Sequence, residues 1–189
     1  MFRFKRMGIL RDAVIIEVEK HSDARGIFFE SYKKSDFQKT GIEHEFVQDN
    51  YSLSRKNVLR GLHFQAYPRI QGKLVRVLNG RIMDVIVDIR PGSDTFLKWE
   101  SIELSWDNGI ALWVPPGFAH GFIALEDETQ VMYKTTAEYD PALDSGIIWN
   151  DPKIGIKWPV ANPLLSDKDR SLPHVSDLDL DSMIGVGQK

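Results

Sequence analysis

Apolar and polar positions follow one another along most of this chain in short runs, and turn residues bound most of them. A period of two bounded by turn residues marks strands with one buried face. The runs at 13–19, 26–32, 46–52, 58–64, 72–79, 81–89, 98–104, 109–114, 121–125 and 130–136 are therefore expected to be strands. Many short strands at this spacing build a double-sheet sandwich or barrel, so the expected fold class is all-β. Only 35–40 reads as a helix, with Ser35 as N-cap and Gly41 as the stop. From about residue 140 the texture changes to Pro, Asp and Gly with Trp149 and Trp158, an irregular segment expected to pack on the sandwich. One domain is expected over 1–175, followed by a mobile tail, 176–189, of mixed Asp, Ser and Gly.

The sharpest local signal is Asn79-Gly80, the preferred pair for a two-residue type I′ turn, which predicts a hairpin between 72–79 and 81–89. With 78 opposite 81, the side chains of Lys73, Val75, Val77, Ile82, Asp84 and Ile86 share one inward face. Lys73 and Asp84 become diagonal neighbours within ion-pairing reach. Arg60 and His63 pose the opposite problem, since three residues apart on a regular strand they point to different faces. A bulge at Gly61 would bring them to one side.

Composition narrows the function. A chain of 189 residues, 42% hydrophobic, suits one well-buried core. Lys and Arg number 24 against 27 Asp and Glu, a net charge of -3 with no basic block, which speaks against a nucleic-acid partner. Without cysteine there is no disulfide or thiolate chemistry, and a cytoplasmic setting is expected. The basic start, 1–10, lacks the apolar stretch of a signal peptide, and no run is long enough to cross a bilayer, so no membrane partner is expected.

Three basic side chains, Arg60, His63 and Lys73, thus fall in strands that should fill a core. Pro115, Gly117 and His120 in "WVPPGFAHGF" have the P-x-G-x-x-H spacing of the second cupin motif, whose histidine usually binds a metal. Here Lys73 stands where the first motif has its glutamate ligand, and a cation does not ligate a cation. No metal is expected. A basic barrel mouth suits an anionic substrate, or an oxyanion formed during reaction.

The stretches "DARGIFFE", "QDNYS", "VLRGLHFQ", "QGKLVRVLNG", "VPPGFAHGF" and "WNDPKIGIKWP" together resemble the dTDP-4-dehydrorhamnose 3,5-epimerase family, from about residue 11 to 169. The resemblance implies a cupin-type jelly roll with a few short helices, a homodimer, and cofactor-free epimerisation of a dTDP-4-keto-6-deoxyhexose on the path to dTDP-L-rhamnose. Inverting a carbon beside a ketone needs a base on one face, a group that holds the enolate oxygen, and an acid on the other face. The resemblance makes His63 the base, oriented by Asp169, and Tyr133 the acid. Lys73 falls at the 4-keto oxygen, with Asp84 keeping its ammonium in place. It assigns Arg25, Glu30, Gln48, Asp49 and Asn50 to the nucleotide end, and Arg60, His120 and Lys168 to the pyrophosphate and sugar. Asp144 stands where the family often has Glu.

Other readings remain at this point: a single-position epimerase, a 3,4-ketoisomerase, or a non-catalytic sugar-binding cupin. Each named residue also has an ordinary role. Tyr133 could be a core aromatic, Asp169 could cap a short helix at 166–170, and an exposed Arg25–Glu30 pair is usually just solvated.

Overall fold

The structure, a computed structural model, describes residues 1–186. The strands are β1 (Phe2–Arg6), β2 (Val14–Val18), β3 (His21–Asp23), β4 (Gly26–Phe28), β5 (Gln48–Ser54), β6 (Leu59–Gln65), β7 (Lys73–Asn79), β8 (Arg81–Asp88), β9 (Trp99–Ser105), β10 (Ile110–Val114), β11 (Phe118–Ala124), β12 (Thr129–Thr135) and β13 (Asp144–Gly146). They form a six-stranded sheet in the order β1-β2-β10-β7-β12-β5, a five-stranded sheet in the order β13-β6-β11-β8-β9, and a small hairpin, β3-β4. Every pairing between these strands is antiparallel. The helices are short: α1 (Lys34–Gln38), α2 (Asp167–Arg170), a 3-10 turn (Val175–Asp177) and α3 (Leu180–Ile184). The fold is the all-β double-sheet barrel expected from the pattern.

The two sheets face one another over a core that contains Val75, Val77, Ile82, Ile86, Leu112, Phe118, Phe122 and Val131. Their outer faces are apolar too. Phe37 of α1 packs with Ile16, Leu74 and Trp113 on the six-stranded sheet, and Ile147, Ile154, Val175 and Leu180 cover Leu62, Val85 and Val87 on the five-stranded one. Central strands are therefore buried on both faces, which is why β8 reads as an almost unbroken apolar run rather than an alternating one.

That double burial corrects the hairpin. β7 and β8 are joined by the tight Asn79-Gly80 turn, yet β7 pairs with β10 and β12 while β8 pairs with β9 and β11. The turn is a corner at which the chain changes sheet. Gly80 has φ +76°, and a Cβ there would lie 2.5 Å from Thr129 Oγ1 at the start of β12. The face assignment survives for another reason: the inward residues of β7 and β8 meet across the interior, not along one ladder.

Three smaller departures follow from local physics. The helix begins at Lys34, not at a Ser35 cap, and its N-cap Lys33 makes no side-chain capping bond. The N-terminal stretch 1–10 contributes β1, paired along its whole length with β2. The segment expected to be a mobile tail packs in part: Leu180 is only 6% exposed, Met183 O accepts from Tyr67 N at 2.7 Å, and Asp179 caps α3 by accepting from Ser182 N. Residues 187–189 of that expected tail lie outside the described residues.

Candidate active site between the two sheets

His63 on β6 lies opposite His120 on β11, and the register then shifts so that Arg60 faces Phe122. Gly61 and Leu62 together oppose Gly121, which is the bulge that the parity of Arg60 and His63 demands. The site requires glycine: Gly61 has φ +136°, and a Cβ would sit 2.5 Å from Gly121 Cα. With the extra residue, Arg60 and His63 line one cavity of about 290 Å³ together with Lys73, His120, Phe122, Tyr133 and Asp169.

α2 presents Asp169 to His63. Ser166 caps the helix by accepting from Asp169 N at 3.0 Å, and its hydroxyl donates to Asp169 Oδ2 at 2.8 Å. The His63 Nε2–H donates to Asp169 Oδ1 across 2.5 Å. Burial by itself would raise the Asp169 pKa, but hydrogen bonds from His63, Ser166 and the Gly61 N–H, with the charge of His63, hold it below the ordinary carboxylate value. The carboxylate thus stays ionised against the ring. With Nε2 committed as donor, the lone pair of His63 resides on Nδ1.

Lys73, at the start of β7, is 8% exposed. Its Nζ donates to the His63 carbonyl at 3.3 Å. Burial lowers its pKa to about 8, opposed by the charges of Asp144 and Asp84 and assisted by that of Lys168. Asp84 does not clamp the ammonium as expected. It is fully buried on β8 and accepts from His120 Nε2 with both oxygens, at 3.0 and 2.9 Å. The cause is the sheet change at Gly80, which sets Lys73 and Asp84 on facing sheets rather than as ladder neighbours. The cavity thus holds two histidine–carboxylate pairs, His63–Asp169 and His120–Asp84.

Tyr133 sits on β12, beside Asn50 of β5 and Val75 of β7. Burial raises its pKa, partly countered by the charge of Arg60 and reinforced by that of Asp144, so the phenol is protonated at neutral pH. His63 belongs to the five-stranded sheet and Tyr133 to the six-stranded one. Base and acid candidates therefore stand on opposite walls.

A second chamber of about 170 Å³ shares Asn50, His63, Lys73, Tyr133 and Lys168 with the first and adds Gln48, Gln65, Gln71, Tyr139 and Asp144. Tyr139 is 53% exposed at this end. Gln48 Nε2 donates to Asn50 Oδ1 at 2.8 Å, and Gln48 Oε1 accepts from Tyr139 N at 2.8 Å. Asp144 accepts from Tyr139 Oη at 2.8 Å and pairs with Lys168. Burial would raise the Asp144 pKa, yet the Lys168 and Tyr139 hydrogen bonds hold it low. Arg60 is tethered by Nε to Ser54 Oγ at 3.1 Å and by Nη2 to Leu53 O at 3.3 Å.

Three expected residues are not brought to the cavity of this chain. Asp49 alternates to the outer face of β5 between Gln48 and Asn50, where it pairs with Lys134 Nζ at 2.8 Å. Arg25 projects from the β3-β4 hairpin with its side chain 90% exposed and pairs with Asp23 at 2.6 Å. Glu30, beyond that hairpin, stands 4.0 Å from Lys33. Conversely, Tyr139, Gln65, Gln71, Ser52 and Ser166 line the site without having been anticipated. Only Ser166 had a legible signal, the S-x-x-D spacing of a helix start at 166–169. Among the described residues no three His, Cys, Asp or Glu side chains are grouped as a metal site.

This geometry has close counterparts. The family model described as dTDP-4-dehydrorhamnose 3,5-epimerase matches residues 8–177. A dTDP-4-dehydrorhamnose 3,5-epimerase of Methanothermobacter thermautotrophicus is 51% identical over 173 residues, covering 90% of this chain and 92% of that protein. The crystal structure of the Bacillus anthracis dTDP-4-dehydrorhamnose 3,5-epimerase with TDP and PPi bound superposes with a TM-score of 0.90 at 46% identity, covering 93% of this chain and all of the other. The Legionella pneumophila dTDP-6-deoxy-D-glucose-3,5-epimerase in complex with dTDP-4-keto-L-rhamnose does so with a TM-score of 0.92 at 40% identity, covering 97% of each chain. The matched span takes in every strand except β1 and every cavity residue named above, and the chain belongs to the dTDP-4-dehydrorhamnose 3,5-epimerase family.

Proposed function

We propose that this protein epimerises dTDP-4-dehydro-6-deoxyglucose at C3 and C5 to dTDP-4-dehydro-L-rhamnose, an isomerase reaction that needs no redox cofactor. The observation that carries the reading is the arrangement of His63–Asp169, Lys73 and Tyr133 around one cavity, with base and acid on facing sheets. His63 Nδ1 removes the proton on the carbon next to the ketone, and Asp169 balances the charge that the ring acquires. Negative charge then builds on the 4-keto oxygen, where the Lys73 ammonium meets it. Tyr133 delivers a proton from the opposite wall, and the configuration inverts. The second α-carbon flanks the same ketone, so the same groups serve it in a second round.

The end with His120 and Phe122 suits the hexose, and the amide-lined end with the exposed Tyr139 suits the pyrimidine nucleotide. Lys168 at the junction and tethered Arg60 supply cations for the diphosphate. Arg25 and Glu30 act from a second copy: the protein is a homodimer, and the β3-β4 hairpin, with Phe28 69% exposed, reaches the partner's site. A cytoplasmic setting goes with a nucleotide-linked substrate and a chain free of cysteine.

Incubation of the pure protein with this sugar nucleotide in deuterated water tests the reading. Product inverted and deuterated at both C3 and C5 supports it. Inversion at C3 alone marks a single-position epimerase, and recovery of unlabelled substrate rejects epimerisation.

A further inference from the structure

Alternation along β5 turns Gln48, Asn50, Ser52 and Ser54 toward the interior. Three of them are already engaged with protein partners. Gln48 bonds Asn50 Oδ1 and the Tyr139 N–H, each at 2.8 Å, and Ser54 Oγ accepts from Arg60 Nε at 3.1 Å. Ser52 differs. Its hydroxyl oxygen is buried, and among the described residues it is the one buried side-chain polar atom with no hydrogen-bond partner. Buried hydroxyls nearly always find one, because an unmade bond leaves the desolvation of the group uncompensated. Ser52 lines the same cavity as Arg60, His120, Phe122 and Tyr133.

We propose that Ser52 is a substrate-contacting residue whose hydroxyl bonds a hydroxyl of the hexose ring. This rests on the epimerase reading above and adds a contact to it. Ser52 faces Val131 on β12, one inward step along the strand from Asn50, which faces Tyr133. It therefore belongs to the acid's wall and lies across the cavity from His63. A ring hydroxyl both donates and accepts, as serine does. A contact there draws the pyranose toward the Tyr133 wall and turns its other face to His63. A phosphate oxygen is the weaker candidate, since Arg60 and Lys168 already provide cations for it.

The test compares wild type with Ser52→Ala, and with Ser52→Cys as the variant closest in volume. The wild-type protein is assayed first: if it epimerises nothing, the activity reading fails whatever Ser52 does. With an active wild type, either substitution is expected to raise KM for the sugar nucleotide by roughly three- to tenfold, the worth of one neutral hydrogen bond. The Kd for dTDP, which has no hexose, stays unchanged, and the Tm of the free protein stays level or rises, because the hydroxyl has no protein partner to lose. The inference is overturned by a KM within twofold of wild type, by an equal weakening of dTDP binding, or by a fall in the Tm of the free protein.

Discussion

At the scale of single residues, Lys73 sets the clearest pH dependence. Its folded-state pKa of about 8 lies below the ordinary value of 10.5 because burial penalises the ammonium. Between those values the folded chain has released a proton that the unfolded chain still binds, so stability rises with pH across that window. Below about 8 both states are protonated, and the burial penalty, a few kcal/mol at about 1.4 kcal/mol per pKa unit, stands in full. Lys73→Met is therefore expected to raise Tm at pH 7 by calorimetry while turnover drops by about 10² to 10³. In the wild type, kcat/KM should fall as pH rises through about 8, as the ammonium that meets the oxyanion is lost; a flat profile to pH 10 would separate Lys73 from the chemistry. His63→Asn should lower kcat by at least about 10², with dTDP affinity retained in a binding titration. The Arg60, His63 and Lys73 grouping was legible from basic residues in apolar strands, whereas the pairing of His63 with Asp169, 106 residues away, came only through the family resemblance. The Asp84–His120 bond was not legible at all, since it depends on which strands neighbour β8.

At the scale of elements, the β6 bulge shows what a sequence can specify. Two side chains required on one face, with glycine between them, leave few alternatives to an extra residue at Gly61. Gly61→Ala places a methyl against the Gly121 backbone at a φ of +136°. We expect it to cost about 1–3 kcal/mol or more in a denaturant titration and to disorder both Arg60 and His63; an unchanged midpoint would mean that the two strands can part. The Asn79-Gly80 turn shows the limit. Its residues specify a tight reversal, and a reversal serves a hairpin or a corner between sheets equally well. The deciding information lay in the strand bodies, apolar on both faces, so that each needed two neighbours and a cover. α3 was missed, and α2 was read only as an alternative role for Asp169, because helices this short have no usable period, and their caps, Ser166 and Asp179, are residues equally common in turns.

At the scale of the whole molecule, two facing sheets hold His63 and Tyr133, the proposed base and acid, on opposite walls of one cavity. The proposed chemistry uses side chains of this one cavity, while Arg25 and Glu30 lie outside it within a single chain. The proposed dimer, in which each copy completes the other's site, would give both residues a place. Arg25→Ala and His63→Asn proteins, each impaired alone, should then regain up to about a quarter of wild-type activity when co-refolded, because half the dimers carry one unaltered site. No recovery would keep Arg25 out of the partner's site. The facing-wall claim itself is tested most directly by following substrate in deuterated water with Tyr133→Phe. With His63 intact and the opposite donor gone, deuterium should enter beside the ketone with the original configuration retained, and inverted product should form far more slowly than with wild type. Inversion at the wild-type rate by Tyr133→Phe, or continued exchange in His63→Asn, would contradict the account.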